Sequence, residues 1–416
     1  MTTAPAPFEG WAPGQAQYRR ITLGLFLAGL ATFALVYCPQ PVLPLLASEF
    51  GVGAGSATLA LSVTTVAMGV ALLVFGPLSD AVGRMNLMRV TLLVAALLGT
   101  AVAFMPSWPL LLVLRAAVGF AVAGLPAVAA AYLRDEIAPR SASAATGLYI
   151  GGTAIGGMTG RLLTGVIADV LGWQWAIGLI GAMSLAIAVS LGVLLPPARR
   201  FQPTPLNHTE LAANARRMLL DDGLLRLYCI GFTAMGAFVA AFNALAFRLV
   251  GAPFNLSVGV ASLVFVSYLL GSVSSPYAGR LAARFGPSRV VPVALLVFLL
   301  GIGFTLLDSL AAVIVGVALI TTGFFAAHGT ASAWVTLRAS RKGRGTGMAG
   351  SLYLAFYYFG SSACGSAAGF IWTHYGWPGV ATFSGALVGV AIALAASLRS
   401  VDPVRATGAE APRRQP

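Results

Sequence analysis

The sequence is poor in charge. Only 9% of its 416 residues are Asp, Glu, Lys or Arg, against roughly 25% in soluble domains. With 58% hydrophobic residues and a mean hydropathy of +0.88, a water-soluble chain of this length has nowhere to hide its apolar surface, so the bilayer is the solvent. Acids are the scarcer sign, 12 against 25 basic residues, and Lys342 is the only lysine. A net charge of +13 on a soluble protein would point to nucleic acid. Here the arginines lie in loops between apolar runs, where they act as orientation signals, and no nucleic-acid partner is expected. The three cysteines, Cys38, Cys229 and Cys364, all fall inside apolar runs without metal-ligand spacing. They read as small packing residues, and no metal or cofactor is expected. The three histidines, His208, His328 and His374, are scattered. Nothing resembles the nucleophile–base pair or His/carboxylate cluster that a membrane enzyme would need, so the chain is expected not to be an enzyme.

A membrane helix needs about 20 mostly apolar residues. Runs that qualify lie near 21–46, 57–78, 88–105, 109–133, 142–168, 173–195, 224–249, 256–279, 289–307, 311–336, 345–372 and 377–398. The expected organisation is a tail over 1–20, a six-helix half over 21–195, a central loop over 196–222, a second six-helix half over 223–398 and a tail over 399–416. Residues 1–17 are Ala/Pro-rich and expected to be disordered. The run after Arg19-Arg20 is too long for a signal-peptide core and reads as a retained first span. With the N-terminus inside, 22 of the 25 basic residues fall on the cytoplasmic side. The other three, Arg115, Arg161 and Arg248, lie within spans, so both termini are expected to be cytoplasmic.

Two stretches repeat. The joint Gly76-Pro-Leu-Ser-Asp80-Ala-Val-Gly83-Arg84 has an echo in Gly279 to Arg289, with Gly76 and Gly83 displaced by 203 residues. Gly156, Gly165 and Gly172-Trp173 recur as Gly360, Gly369 and Gly376-Trp377, displaced by 204. Repeats in the same orientation predict two parallel halves with a site near the midplane between them.

At these residues the chain resembles the major facilitator superfamily over 20–398. The first joint is similar to that family's signature between helices 2 and 3, departing from it at Ala81 and Met85, where basic residues are usual. Its second copy carries Ala283 for the Asp and Pro287 for the Arg. Arg115 to Gly119 resembles an Arg-x-x-Gln-Gly motif with Val118 in place of Gln. The fifth span, from Gly152 to Arg161, resembles the antiporter signature, with departures at Gly157 and Arg161. Gln40-Pro-Val-Leu-Pro44, Gly323 to His328 and Tyr357 to Ser362 resemble the acriflavine-sensitivity (YnfM-like) branch of bacterial drug/proton antiporters. The resemblance implies an all-α integral membrane fold of twelve helices in two parallel six-helix halves. It also implies a secondary active transporter, monomeric, in the cell inner membrane, exporting a small organic molecule against protons by alternating access. Gly76, Asp80, Gly83, Arg84, Asp135 and Glu136 would form a conformational latch. Asp80 would pair with the positive end of the eleventh span near Thr346, and Arg84 would bridge to Asp135 or Glu136.

Ionisable residues inside a span are costly and are candidates for function. No acid lies in mid-membrane. Where many proton-driven exporters place a carboxylate in the first span, this chain has Tyr37 and Gln40. The core offers Arg115, Arg161, Asn243, Tyr357 and His328, whose imidazole titrates near neutrality. Either His328 couples to protons, or it is a satisfied structural histidine with Ser332 one turn away. Arg161 and Arg248 could instead snorkel towards headgroups. Phe324, Phe325, Trp334, Tyr353, Tyr357 and Tyr358 could line a substrate wall or simply pack. Gly152, Gly156, Gly157 and Gly160 suit helix packing or a hinge. The expectation is that Arg161 pairs with Asp169 or a neighbouring carbonyl, leaving Arg115 as the working cation beside His328. The family's toxic cations and a core without acids point in opposite directions, so import or export of small organic anions, by proton symport or facilitated, stays open as the alternative, and beyond it a non-transporting membrane receptor or enzyme.

Overall fold

Local sequence sets where the helices stop. The computed structural model describes residues 9–196, 198–199, 201, 208–343 and 345–401, the backbone alone at 208, 400 and 401. Ten spans are separate: α1 Ala16–Tyr37, α2 Ala54–Val82, α3 Arg84–Phe104, α4 Trp108–Glu136, α5 Pro139–Leu171, α6 Trp173–Leu194, α7 Asp222–Val250, α8 Val258–Phe285, α9 Pro287–Phe304 and α10 Leu310–Arg341. The remaining helical stretch, Thr346–Val401, turns at Gly376 (φ 57°, ψ −154°). It is therefore two spans, α11 (346–375) and α12 (377–401), giving twelve crossings. An even number places the start of α1 and the end of α12 on one face of the bundle. That face also carries Arg84, Arg89, Arg280, Arg284, Arg338 and Arg399 and is called here the arginine-rich face.

The repeat glycines have geometric reasons. Gly83, Gly286 and Gly172 have φ of 100°, 88° and 86°, and with Gly376 they form the sharp α2–α3, α8–α9, α5–α6 and α11–α12 turns. That region of φ is open to glycine and strained for other residues. The remaining pairs sit at close crossings. A Cβ at Gly156 would lie 2.2 Å from the Leu30 carbonyl oxygen of α1, and one at Gly360 would lie 2.0 Å from that of Phe232 on α7. Gly165 abuts Ser262 at the start of α8, and Gly369 abuts Ala54 and Gly55 at the start of α2. So α5 joins its own half to α1 and the other half to α8, and α11 repeats this with α7 and α2. The two halves are built alike and meet along α5–α8 and α2–α11.

Three expectations need correcting. The first span ends at Tyr37, not near 46, because Pro39 and Pro41 have no N–H to continue the ladder; a short helix, Leu43–Glu49, follows. Residues 9–17 are ordered, since the Trp11 N–H donates to the Glu136 carbonyl (2.7 Å) and the Ala138 N–H to that of Trp11 (3.0 Å). The central loop contains a helix, His208–Leu219. Parts of the three expected polar segments (1–8 of the first, 197, 200 and 202–207 of the second, 402–416 of the third) lie outside the described residues, as does Arg344.

Candidate functional site

The break after α1 explains Arg115. The Leu35 carbonyl would normally accept from residue 39, which is Pro39, and the Gln40 N–H is taken by Tyr37 (3.0 Å). The last carbonyls of a helix need partners from elsewhere. Arg115 supplies them from α4: Nη1 donates to Leu35 O (2.9 Å), Nη2 to Val36 O (2.7 Å) and Nε to Ala60 O of α2 (3.1 Å). Gly119, one turn on, makes this possible, because a Cβ there would lie 2.0 Å from the Thr64 carbonyl oxygen. The cation also sits at the negative end of the α1 dipole. Other arginines do the same. Arg89 donates to Leu191 and Gly192 at the end of α6. Arg248 donates to Thr305 and Leu307 past α9, with Asp308 3.2 Å away.

Arg161 is different. It is 2% exposed, and about 22 residues, some 33 Å, up α5 from the arginine-rich face. Its Nη1 donates to Gly157 O (2.5 Å), a carbonyl of its own helix already served by the ladder, and its Nε to Gln40 Oε1 (2.5 Å). Gln40 Nε2 in turn donates to Asn243 Oδ1 on α7 (2.7 Å), with both amides fully buried. The guanidinium lies 3.9 Å from the Tyr37 ring centroid, 4.8 Å from that of Tyr268 and 5.1 Å from that of Phe265. These are cation–π distances. Among the described residues no carboxylate lies within salt-bridge distance of it. A relay Arg161–Gln40–Asn243 thus crosses between the halves, held in rings from α1 and α8.

The expected pairing of Arg161 is met at a carbonyl, and Arg115 is hydrogen-bonded as well. Arg115 donates to the carbonyls of Leu35, Val36 and Ala60, and His328 bonds Tyr353 instead. Arg161 does donate to a neighbouring carbonyl but not to Asp169, whose Oδ2 accepts from Ser257 Oγ (2.5 Å) at the start of α8. Gly152, Gly156 and Gly160 face α1 at Phe26, Leu30 and Ala34, whereas a Cβ at Gly157 would face Arg161 Nη1 (3.3 Å). Gly157 belongs with the relay and not with the packing stripe.

His328 lies in a second ring cluster that joins the first. Its Nδ1 is 3.0 Å from Tyr353 Oη, and its ring stacks on Phe324 (5.8 Å) and lies 4.6 Å from Tyr357. Phe324 leads to Phe325 (5.3 Å), and Phe325 to Tyr268 beside Arg161 (5.5 Å). His328, Phe325 and Tyr357 are half-buried, whereas Phe324 and Tyr353 are buried. Sequence reasoning missed Tyr268, Phe265 and Ser62. It also missed a readable signal: Gln40 and Asn243 are 203 residues apart, one of the two repeat offsets, and they meet between the halves.

At the arginine-rich face, Arg84 pairs with Asp80 (2.8 Å) and with Asp135. Glu136 instead accepts from the Arg199 backbone N–H (2.8 Å). Among the described residues the partner of Asp80 is Arg84, not the start of α11; a Cβ at Gly76, one turn earlier, would sit 3.9 Å from Ser351 Oγ of α11. The other half holds a stronger cluster, also missed. Asp221 caps α7 through Leu224 N (2.9 Å) and accepts from Arg338 Nε (2.7 Å) and Lys342 Nζ (2.5 Å), with only 2% of its side chain exposed. Burial pushes its carboxyl up, but the bonds from Arg338, Lys342 and Leu224 outweigh that and hold it well below the usual carboxylate range.

A profile of the Major Facilitator Superfamily matches residues 25–252 and 227–415. The chain is 42% identical over 379 residues to the inner membrane transport protein YnfM of Escherichia coli K12, covering 91% of this chain and 90% of that one. It is 41% identical to the uncharacterized MFS-type transporter YybF of Bacillus subtilis 168, covering 88% and 90%. Among solved structures, a bacterial homolog of the human lysosomal transporter Spinster, inward-facing and occupied, superposes with a TM-score of 0.72 at 15% identity, covering 93% and 98%. A mutant of the nucleoside transporter NupG gives 0.73 at 13% identity, covering 92% and 100%. At those identities the two structures speak for the fold alone.

Proposed function

Since the chain belongs to the major facilitator superfamily and is a multi-pass membrane transporter, we propose that it moves a small organic molecule by alternating access about the Arg161–Gln40–Asn243 relay. The observation that carries this reading is the relay itself. It is a buried polar bridge between two similarly built halves, and it can form only when both halves close over it. The Asp169–Ser257 bond and the Gly165 and Gly369 crossings close the end remote from the arginine-rich face. His328 and Tyr357, which are only half-buried, stand on the arginine-rich side of that closure. With the arginine-rich face cytoplasmic, this is an inward-facing arrangement. The direction we assign is export in exchange for protons. We assign the proton to His328, because the described spans hold no carboxylate at mid-depth and His328 is the histidine in the inner ring cluster, 3.0 Å from Tyr353 Oη.

The test is transport in proteoliposomes with an imposed pH gradient, over a panel of anionic, neutral and cationic compounds. Substrate movement driven by the gradient, with its pH dependence flattened in His328→Gln, is the expected result. Gradient-independent movement would remove proton coupling, and no movement of any compound would remove the transport reading.

A further inference from the structure

The pseudo-symmetry of the halves makes an asymmetry at their junction informative. Gln40 and Asn243 stand 203 residues apart, at one of the repeat offsets, and Gln40 is answered by Arg161. The residue 204 positions after Arg161 is Gly365, so no side chain answers Asn243 in the same way. Asn243 Nδ2 lies 3.1 Å, and Ser62 Oγ 3.7 Å, from where a Gly365 Cβ would stand. Both atoms are buried and have no partner in the protein among the described residues, as is the Tyr268 hydroxyl beside Arg161. Asn243 is 0% and Ser62 2% exposed. Leaving such groups unpaired is costly, and a guanidinium without a counter-charge in a span is costlier still.

The unused capacity has one chemical sign. Arg161 and the Asn243 amide nitrogen only donate, and the Ser62 and Tyr268 hydroxyls have protons to give. Tyr37, Phe265 and Tyr268 surround the cation, and the belt from Phe325 to Phe324, His328 and Tyr357 continues from them without a charged group. We propose that Arg161, Asn243 and Tyr268 form the binding site for the carboxylate of a small organic acid, whose apolar, ring-bearing body lies along the Phe325–Phe324–Tyr357 belt. The carboxylate takes the free guanidinium donors and the Asn243 amide that Gly365 leaves open. A cationic compound finds no acceptor of charge there. This inference rests on the transporter reading and narrows its substrate to organic anions.

The test uses purified full-length protein and matched triplets of carboxylate, carboxamide and ammonium compounds on phenyl, naphthyl and octyl bodies. Binding is read from thermal stabilisation and intrinsic fluorescence, and movement from counterflow in proteoliposomes. The carboxylates on ring bodies are expected to bind at least tenfold more tightly than their amides, and the ammonium compounds not at all. Arg161→Gln should erase the preference of carboxylate over amide, and Asn243→Asp should invert it towards the ammonium compounds. The second variant keeps the test decisive if the first folds poorly. Equal binding of amide and carboxylate by wild type, an unchanged preference in Asn243→Asp, or no carboxylate binding at all would overturn the proposal. Carboxylate binding without counterflow would count against transport and leave the anion site standing; counterflow of ammonium compounds alone would do the reverse.

Discussion

Replacing Arg115 with Met separates a structural arginine from a transport residue. Met keeps most of the stem volume, so the loss is polar and leaves little cavity. Of the three carbonyls that Arg115 serves, Ala60 O keeps the Thr64 hydroxyl at 3.0 Å. Leu35 O keeps only the weak Cys38 thiol at 3.5 Å, because its ladder donor would be Pro39. Val36 O has no replacement, since the Gln40 N–H bonds Tyr37 O. Two buried acceptors without good partners cost about 1–3 kcal/mol each. Removing a buried cation returns part of that, which leaves a net loss of about 2–4 kcal/mol. Arg161→Met strands only a helix carbonyl already served by its ladder and a Gln amide, so about 1 kcal/mol or less is expected there. Equilibrium unfolding of the purified protein in mixed micelles, by titration with dodecyl sulfate and tryptophan fluorescence, measures both. Transport per folded molecule should survive in Arg115→Met. Unchanged stability with transport abolished would refute the capping argument.

Asp221→Asn weakens the hold on buried Arg338 and should cost about 3–5 kcal/mol, as breaking one side of a buried pair does. Because the Asp221 carboxyl is held below its unfolded value, its contribution is complete above about pH 4 and is lost as pH falls further; the acid-side loss of wild-type stability should shrink in the variant. Gly156→Val pushes α5 off α1, where a Cβ would already be 2.2 Å from Leu30 O, and should lower the yield of folded protein, while Gly147→Val, with open space around it, should not. Asp80→Asn leaves the Arg84–Asp135 pair in place and should slow transport and change cysteine accessibility at the arginine-rich face without loss of folding; identical labelling and rates would remove Asp80 from the latch.

Much of the fold was legible because bilayer solvation writes it into composition. Apolar runs of span length, arginines in alternate loops and glycines at a 203–204 residue offset are one-dimensional signals. The structure places them at Gly83, Gly172, Gly286 and Gly376 turns and at the Gly156 and Gly360 crossings. The candidate site was legible in residue type and not in role. Arg115, Arg161, Gln40, Asn243, His328 and Tyr357 were all identifiable as polar or titratable groups inside spans. Which arginine was free was not readable, since that depends on the backbone acceptors each one meets in space.

The sequence by itself determined the solvent, the number of crossings, the two-fold repetition and the absence of acids from the described core. Each follows from local composition or from spacing along one chain. Only the tertiary structure decided that Pro39 creates a vacancy that Arg115 fills from 80 residues away. The same holds for Gln40 and Asn243 joining across the two halves, and for Gly365 leaving Asn243 an open donor beside Arg161. Hydrogen-bond satisfaction inside a membrane is settled by whichever helix lies alongside, because no water is there to make up the difference.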